Sequence, residues 1–246
     1  YFFATTVNYL DRQVLSLTWK DFIAPVISLT DSNYGDITAI LFNCICHSEI
    51  IFAGRFYRLD GYPKKGYLWS IFIWSAGACL HALCGWATEV TLGIHNATEM
   101  LSATGAVAST IAITSVYYFI AARIVLGAGE AGNFPQPSKV TAEYFPEKDR
   151  AFSTSIFNAG STIGALIAPV SIPPLARYFQ SIGVGNGWEM AFVVIGALGF
   201  CLDGIMDVLY KKPNANPHVN AAELAYIEQD NNEQEAKKLR LTDYKQ

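Results

Sequence analysis

Asp11, Arg12, Arg123 and Glu130 are the residues of this 246-residue chain best placed to do chemistry, because each interrupts an otherwise apolar stretch. A charge near the middle of a bilayer costs about 2.5–3.5 kcal/mol on insertion scales, so each needs a partner or a task. With Lys20 taken as the outer end of the first apolar stretch, Arg12 lies about 12 Å below it, near mid-depth. The spacing of seven between Arg123 and Glu130 is about two helical turns, which puts both on one face roughly 10 Å apart. Two arginines and two acids are neutral in total. They can form a structural ion-pair cluster between helices. They can also line a hydrated cavity in which an Arg holds an anionic substrate while a carboxylate gains and loses a proton. Desolvation favours the neutral acid and a neighbouring Arg favours the carboxylate, so an anion competing for the Arg promotes proton uptake. The transport reading is preferred, because ionisable groups at that depth usually mark a solute or proton path.

Other chemistries find less support. Ser161 has no G-x-S-x-G context for a serine hydrolase. Cys44, Cys46 and His47 sit too nearly consecutively on a helix to converge on one metal ion, so no metal or cofactor is expected. His81 reads as a hydrogen-bonded packing residue rather than a proton relay. Gly127, Gly129, Ala131 and Gly132, with the G-x-x-x-G of Gly160 and Gly164, read as close helix packing. Asn158 and Ser161 suit either an interhelical hydrogen bond or a sugar-hydroxyl contact.

The elements that must position these groups follow from composition. Hydrophobic residues make up 52% and charged residues 15%, against roughly 25% charged in soluble domains. The last 36 residues hold 12 of the 38 Asp, Glu, Lys and Arg, which leaves a body too poor in charge to face water all round. A net charge of -4 excludes a nucleic-acid binder built on phosphate contacts. The five cysteines lie in apolar stretches and form no secreted disulfide pattern. Uncharged runs of 22, 22 and 26 residues (67–88, 101–122 and 151–176) each exceed the roughly 20 residues that span a bilayer. Weaker stretches over 1–18, 34–53 and 188–210 complete an expected all-α membrane bundle of six spans. The six are 1–18, 34–53, 67–88, 103–134, 151–174 and 188–210. The chain begins inside the first of them without an initiator Met, so a missing N-terminal stretch is expected. Residues 211–246 form the expected cytoplasmic linker, in which Asn220 and Glu223 have N-cap and N3 spacing for a short amphipathic helix.

Lys and Arg set the orientation. With the N-terminus in the cytoplasm, inside loops hold eight (Arg55, Arg58, Lys64, Lys65, Lys148, Arg150, Lys211, Lys212) and outside loops two (Lys20, Arg177). Both ends are expected in the cytoplasm.

Four segments resemble the N-terminal half of a major facilitator superfamily transporter, in particular the anion:cation symporter family. They are Asn8-Tyr9-Leu10-Asp11-Arg12, the run Arg123 to Ala131, the run Tyr144 to Ala151, and the run Pro217 to Ile227, in that order. Within that family the wording is most like bacterial hexuronate transporters. The resemblance implies proton-coupled uptake of a small organic anion such as galacturonate or glucuronate across the bacterial inner membrane. Asp11 and Glu130 would be proton-coupling carboxylates, and Arg123 an arginine that switches partner on protonation. Arg12 would engage the substrate carboxylate, with Tyr9 beside it and Asn158 or Ser161 touching sugar hydroxyls. It implies a second six-span half as partner.

The loop from Gly54 to Lys65 departs from the superfamily's charged latch, with its Asp two positions late and Pro63 intruding. Glu49, Asp203 and Asp207 are unexpected in lipid-compatible positions. These departures motivate an alternative, a truncated or decayed membrane protein that inserts and transports nothing.

Overall fold

The computed structural model describes residues 1–59, 63–94, 97–133 and 135–229, with side chains described outside 50–63, 95–98, 134–136 and 230–246. Among the described residues every regular element is helical. In chain order these are α1 (Phe2–Thr18), α2 (Ala24–Ile27), α3 (Asp31–Leu59), α4 (Pro63–Ala82), α5 (Cys84–Leu92), α6 (Ala97–Ser102), α7 (Gly105–Glu130), α8 (Pro135–Tyr144), α9 (Glu147–Ser181), α10 (Trp188–Leu209) and α11 (Ala221–Ile227). The side chains of Arg55, Arg58 and Asp60 in the loop motif, and all residues after Gln229, lie outside the described set.

Three helices, α7, α9 and α10, are long and apolar enough to cross a membrane, and α4 with α5 adds a fourth candidate bent by 49° at Leu83. Their outer faces carry large apolar side chains that nothing covers, such as Tyr117, Phe152, Leu166, Val170 and Val208. In water that mantle would be untenable; against lipid tails it is what an integral membrane protein presents.

Lys20 does not end the first helix. The chain continues through a π-helical turn at Trp19–Ile23 and through α2 to Ser28, whose left-handed φ of 52° stops it. Trp19, Phe22, Ile23, Val26 and Ile27 remain buried along this extension, so packing favours continuing past one exposed lysine. Arg12 therefore lies about 15 Å from Phe2 and about 22 Å from Ile27 along the axis.

α9 covers 35 residues, about 52 Å, well beyond an apolar bilayer core of ~30 Å. It opens beyond its apolar stretch, with Glu147 and Asp149 in a first turn whose unpaired N–H groups favour negative charge. It stays helical through Pro169, Pro173 and Pro174.

α1 packs chiefly against α9 and also against α10, while α7 packs against α3, α4 and α5, and α4 meets α10 on its other side. Glycines permit these approaches. A Cβ built at Gly160 would come 2.5 Å from the Phe2 carbonyl oxygen, and one at Gly164 2.5 Å from that of Thr6. Between α4 with α5 and α7 the contacts run in opposite directions along the chain. Ser70 donates to the Gly129 carbonyl, a Cβ at Gly77 would lie 2.6 Å from the Leu126 nitrogen, and Thr88 bonds Ser115 at 3.0 Å. A Cβ at Gly129 would overlap the Trp74 backbone, which cannot retreat as a flexible side chain could. Gly129→Leu is therefore expected to cost about 3 kcal/mol or more. The check is the thermal midpoint in detergent, with loss of the monodisperse fraction as the expected outcome.

At the end of the bundle carrying Tyr1 and Tyr210, α11 folds back. Asn220 caps it by accepting the Glu223 N–H at 2.8 Å. Tyr226 donates to Asp149 at 2.7 Å, and Lys148 lies 4.5 Å above its ring. Asp207 pairs with Lys64 at 2.9 Å. Asp203 is half-buried in a shallow groove with Lys65, Trp69 and Phe72.

Candidate functional site

The charged residues of α1 and α7 meet inside the bundle. Arg12 Nε donates to Glu130 Oε2 at 2.7 Å, the Arg side chain being 16% exposed and the Glu fully buried. The two helices have few close backbone approaches, so the pair is made by the long arginine side chain rather than by close helix packing. The guanidinium also lies 5.3 Å from the Tyr9 ring centroid, one turn back on α1, where the aromatic face attracts a cation.

Asp11 and Arg123 are as deeply placed, at 1% and 2% exposure. Asp11 lies within the fields of Glu130, Arg123 and Arg12. All four groups thus share one interior site. They do not form two matched pairs. Both Asp11 oxygens, and Nε and Nη1 of Arg123, lack a hydrogen-bond partner among the described residues. Adjacent helical positions diverge by about 100°, so Asp11 and Arg12 cannot both aim at α7. Buried polar groups are nearly always satisfied, so the open carboxylate and guanidinium single out Asp11 and Arg123 among the buried polar residues.

A polar chain extends from this cluster. Asn133 Nδ2 donates to Asn8 Oδ1 at 3.1 Å, Tyr67 donates to Asn133 Oδ1 at 3.2 Å, and Asn8 sits beside Glu130. All three are at most 1% exposed. Sequence reasoning passed over Asn133 and Tyr67. The signal was present in Asn133, a polar residue three positions beyond Glu130 and so on the same side of the continuing chain.

Asn158 is exposed, and the Ser161 hydroxyl donates to the Asn158 carbonyl at 2.6 Å, so neither joins the charged cluster through a described bond. Both lie on α9, the neighbour of α1, with Gly160 and Gly164 turned towards α1 between and beyond them. Cys46 and His47 are exposed, and His47 Nδ1 bonds the Asn43 carbonyl of its own helix at 2.8 Å. His81 is fully buried and stacked on Phe192 at 5.0 Å.

This arrangement can hold an anion at Arg12, the one group of the four with access to a surface, and can store a proton on a carboxylate behind it. It presents neither a nucleophile–base pair nor, among the described residues, a cluster of ligands for a metal.

The family described as Major Facilitator Superfamily matches residues 1–240. A probable galactarate/D-glucarate transporter of Bacillus subtilis (strain 168) is 29% identical over 234 residues, covering 93% of this chain and 43% of the relative. The hexuronate transporter of Escherichia coli (strain K12) is 39% identical over 106 residues, 43% of this chain and 23% of the relative. A bacterial homologue of the human lysosomal transporter Spinster, solved in an inward-facing and occupied conformation, shares the fold with a TM-score of 0.59 at 22% identity. That match covers 86% of this chain and 43% of the other. The chain thus spans less than half the length of the relatives it matches.

Proposed function

We propose, because this chain belongs to the Major Facilitator Superfamily, that it supplies the N-terminal half of a proton-coupled organic-anion importer, with a hexuronate such as galacturonate or glucuronate as substrate. In this reading residues 1–210 form six spans, built on α1 with its extension, α3, α4 with α5, α7, α9 and α10. In the same reading residues 211–246 form a cytoplasmic linker, and the excess of Lys and Arg in the inside loops favours both ends in the cytoplasm of a bacterium. The family is one of transporters, and the chain is not an enzyme.

The observation that carries the reading is the Arg12–Glu130 pair. A sugar-acid carboxylate can take the partly exposed Arg12 guanidinium in a bidentate grip. Glu130 then loses its counterion inside a low-dielectric site, where a lone carboxylate is costly and recruits a proton. Arg123 and Asp11 offer the second donor and acceptor, through which the charge redistributes and the proton comes to rest on Asp11. Binding and protonation are linked because both act on one guanidinium. Relatives named as galactarate/D-glucarate and hexuronate transporters support a sugar-acid substrate. Asn158 and Ser161 lie on the helix beside α1, where a second half would close over them, and are proposed contacts for sugar hydroxyls. Alternating access needs that second half, which shares the substrate site.

Counterflow in proteoliposomes tests this. The product of the complete reading frame is expected to exchange labelled galacturonate or glucuronate saturably, and to accumulate it when the outside is acidic. Exchange of galactarate or glucarate alone would keep the transport reading and change the substrate. No exchange of any of the four would leave the inert reading.

A further inference from the structure

His81 has a place in this site that its stacking does not exhaust. Its Nδ1 lies 2.7 Å from the Gly77 carbonyl oxygen, which can only accept, so Nδ1 carries the hydrogen. In the neutral ring Nε2 is then an acceptor, and it is buried with no donor. Phe192 from α10 and Phe119 from α7, 5.0 and 5.9 Å away, hold the ring plane. The antiparallel register of α4 and α5 on α7, read from Ser70 with Gly129, Gly77 with Leu126 and Thr88 with Ser115, brings His81 level with about Ala122, the chain neighbour of Arg123. Arg123 also lies one turn beyond Phe119, on the same face, and its field reaches the imidazole. Two N–H donors without acceptors and one acceptor without a donor thus occupy one interior site. The span bends by 49° at Leu83, two residues beyond His81.

We propose that His81 is a positioning residue which lends Arg123 a neutral hydrogen-bond acceptor in the state where Asp11 carries the proton. The inference rests on the transport reading above. With Asp11 ionised the four charges sum to zero; with Asp11 protonated Arg123 has lost a counterion. An imidazole then stabilises the guanidinium without adding a charge that would compete with an incoming anion. The other titratable or charged groups around Arg123 are Asp11 and Arg12 from α1, Tyr34 from α3, Cys84 from α5 and Glu130 on α7 itself, while α10 offers the Phe192 ring. None is a neutral nitrogen acceptor.

The test uses the product of the complete reading frame in proteoliposomes, with galacturonate uptake followed against external pH. His81→Phe keeps an aromatic ring between Phe119 and Phe192 and removes the acceptor. His81→Gln loses the stack and places an amide oxygen near the position of Nε2. Both are compared with wild type at equal amounts of monodisperse protein. The midpoint of the pH profile in His81→Phe is expected to move about one unit towards acid, because the protonated state has lost support. His81→Gln is expected to restore the wild-type midpoint. A wild-type midpoint in His81→Phe overturns the proposal, as does a larger shift in His81→Gln than in His81→Phe, which is the signature of packing alone. Asp11→Asn, run alongside, separates the two levels. If it still accumulates substrate on a proton gradient, the placing of the coupled proton on Asp11 has failed, and the role of His81 with it. If it is uncoupled while His81→Phe is unchanged, only the role of His81 falls.

Discussion

Arg12→Ala in the complete transporter is expected to abolish hexuronate binding, weakening it at least about 100-fold, or roughly 3 kcal/mol. The substitution removes the one cation of the cluster that reaches a surface and can present a planar fork to a carboxylate. It also leaves Glu130 fully buried without its counterion, and breaking a buried pair from one side costs about 3–5 kcal/mol of stability. Loss of binding could therefore be mistaken for loss of fold. Arg12→Ala combined with Glu130→Gln removes the stranded charge, and is expected to recover the thermal midpoint without recovering binding. Arg12→Lys keeps the charge and loses the fork, so an intermediate affinity is expected. Isothermal titration with galacturonate beside a thermal melt separates the effects. Binding within a few-fold of wild type in the double variant would remove Arg12 from the substrate site.

Asp11→Asn is expected to do the opposite, retaining binding within about threefold while ending accumulation driven by a pH gradient. Among the described residues the Asp11 carboxylate makes no hydrogen bond that an isosteric amide would break, so the fold is expected to lose little. The amide cannot take up a proton, and the variant sits permanently in the neutral state of that position. Exchange down a substrate gradient should persist, while uptake should no longer rise as the external pH falls. Paired counterflow and gradient-driven uptake measure this. Accumulation that still follows the proton gradient would move the coupling elsewhere, with Glu130 the next candidate.

The two variants differ in expected effect because of geometry that adjacency in sequence conceals. Asp11 and Arg12 are neighbours in the chain, yet among the described residues Arg12 makes the ion pair to α7 and Asp11 makes none. Likewise Arg123 and Glu130 share a helix face, and only Glu130 is engaged by α1. Side-chain length and the 100° step of the helix decide this, and neither is visible until the distance between α1 and α7 is set.

The all-helical membrane class was legible from the chain itself, because long uncharged runs admit few alternatives in lipid. Four separated motifs made the family legible too. The cost of burying charge singled out Asp11, Arg12, Arg123 and Glu130 without any neighbour being known. The glycines of α7 and α9 read correctly as points of close approach, since small residues at helical spacing have one common use in membrane bundles. Local pattern did not reveal the extension of α1 through a π-turn, where buried aromatic and aliphatic contacts outweigh one lysine. Nor did it reveal the Asn8–Asn133–Tyr67 chain, whose members come from three distant segments. Periodicity and transfer cost act along the chain and are written in it; which donor finds which acceptor depends on the separation of helices far apart in sequence, and tertiary packing alone decides that.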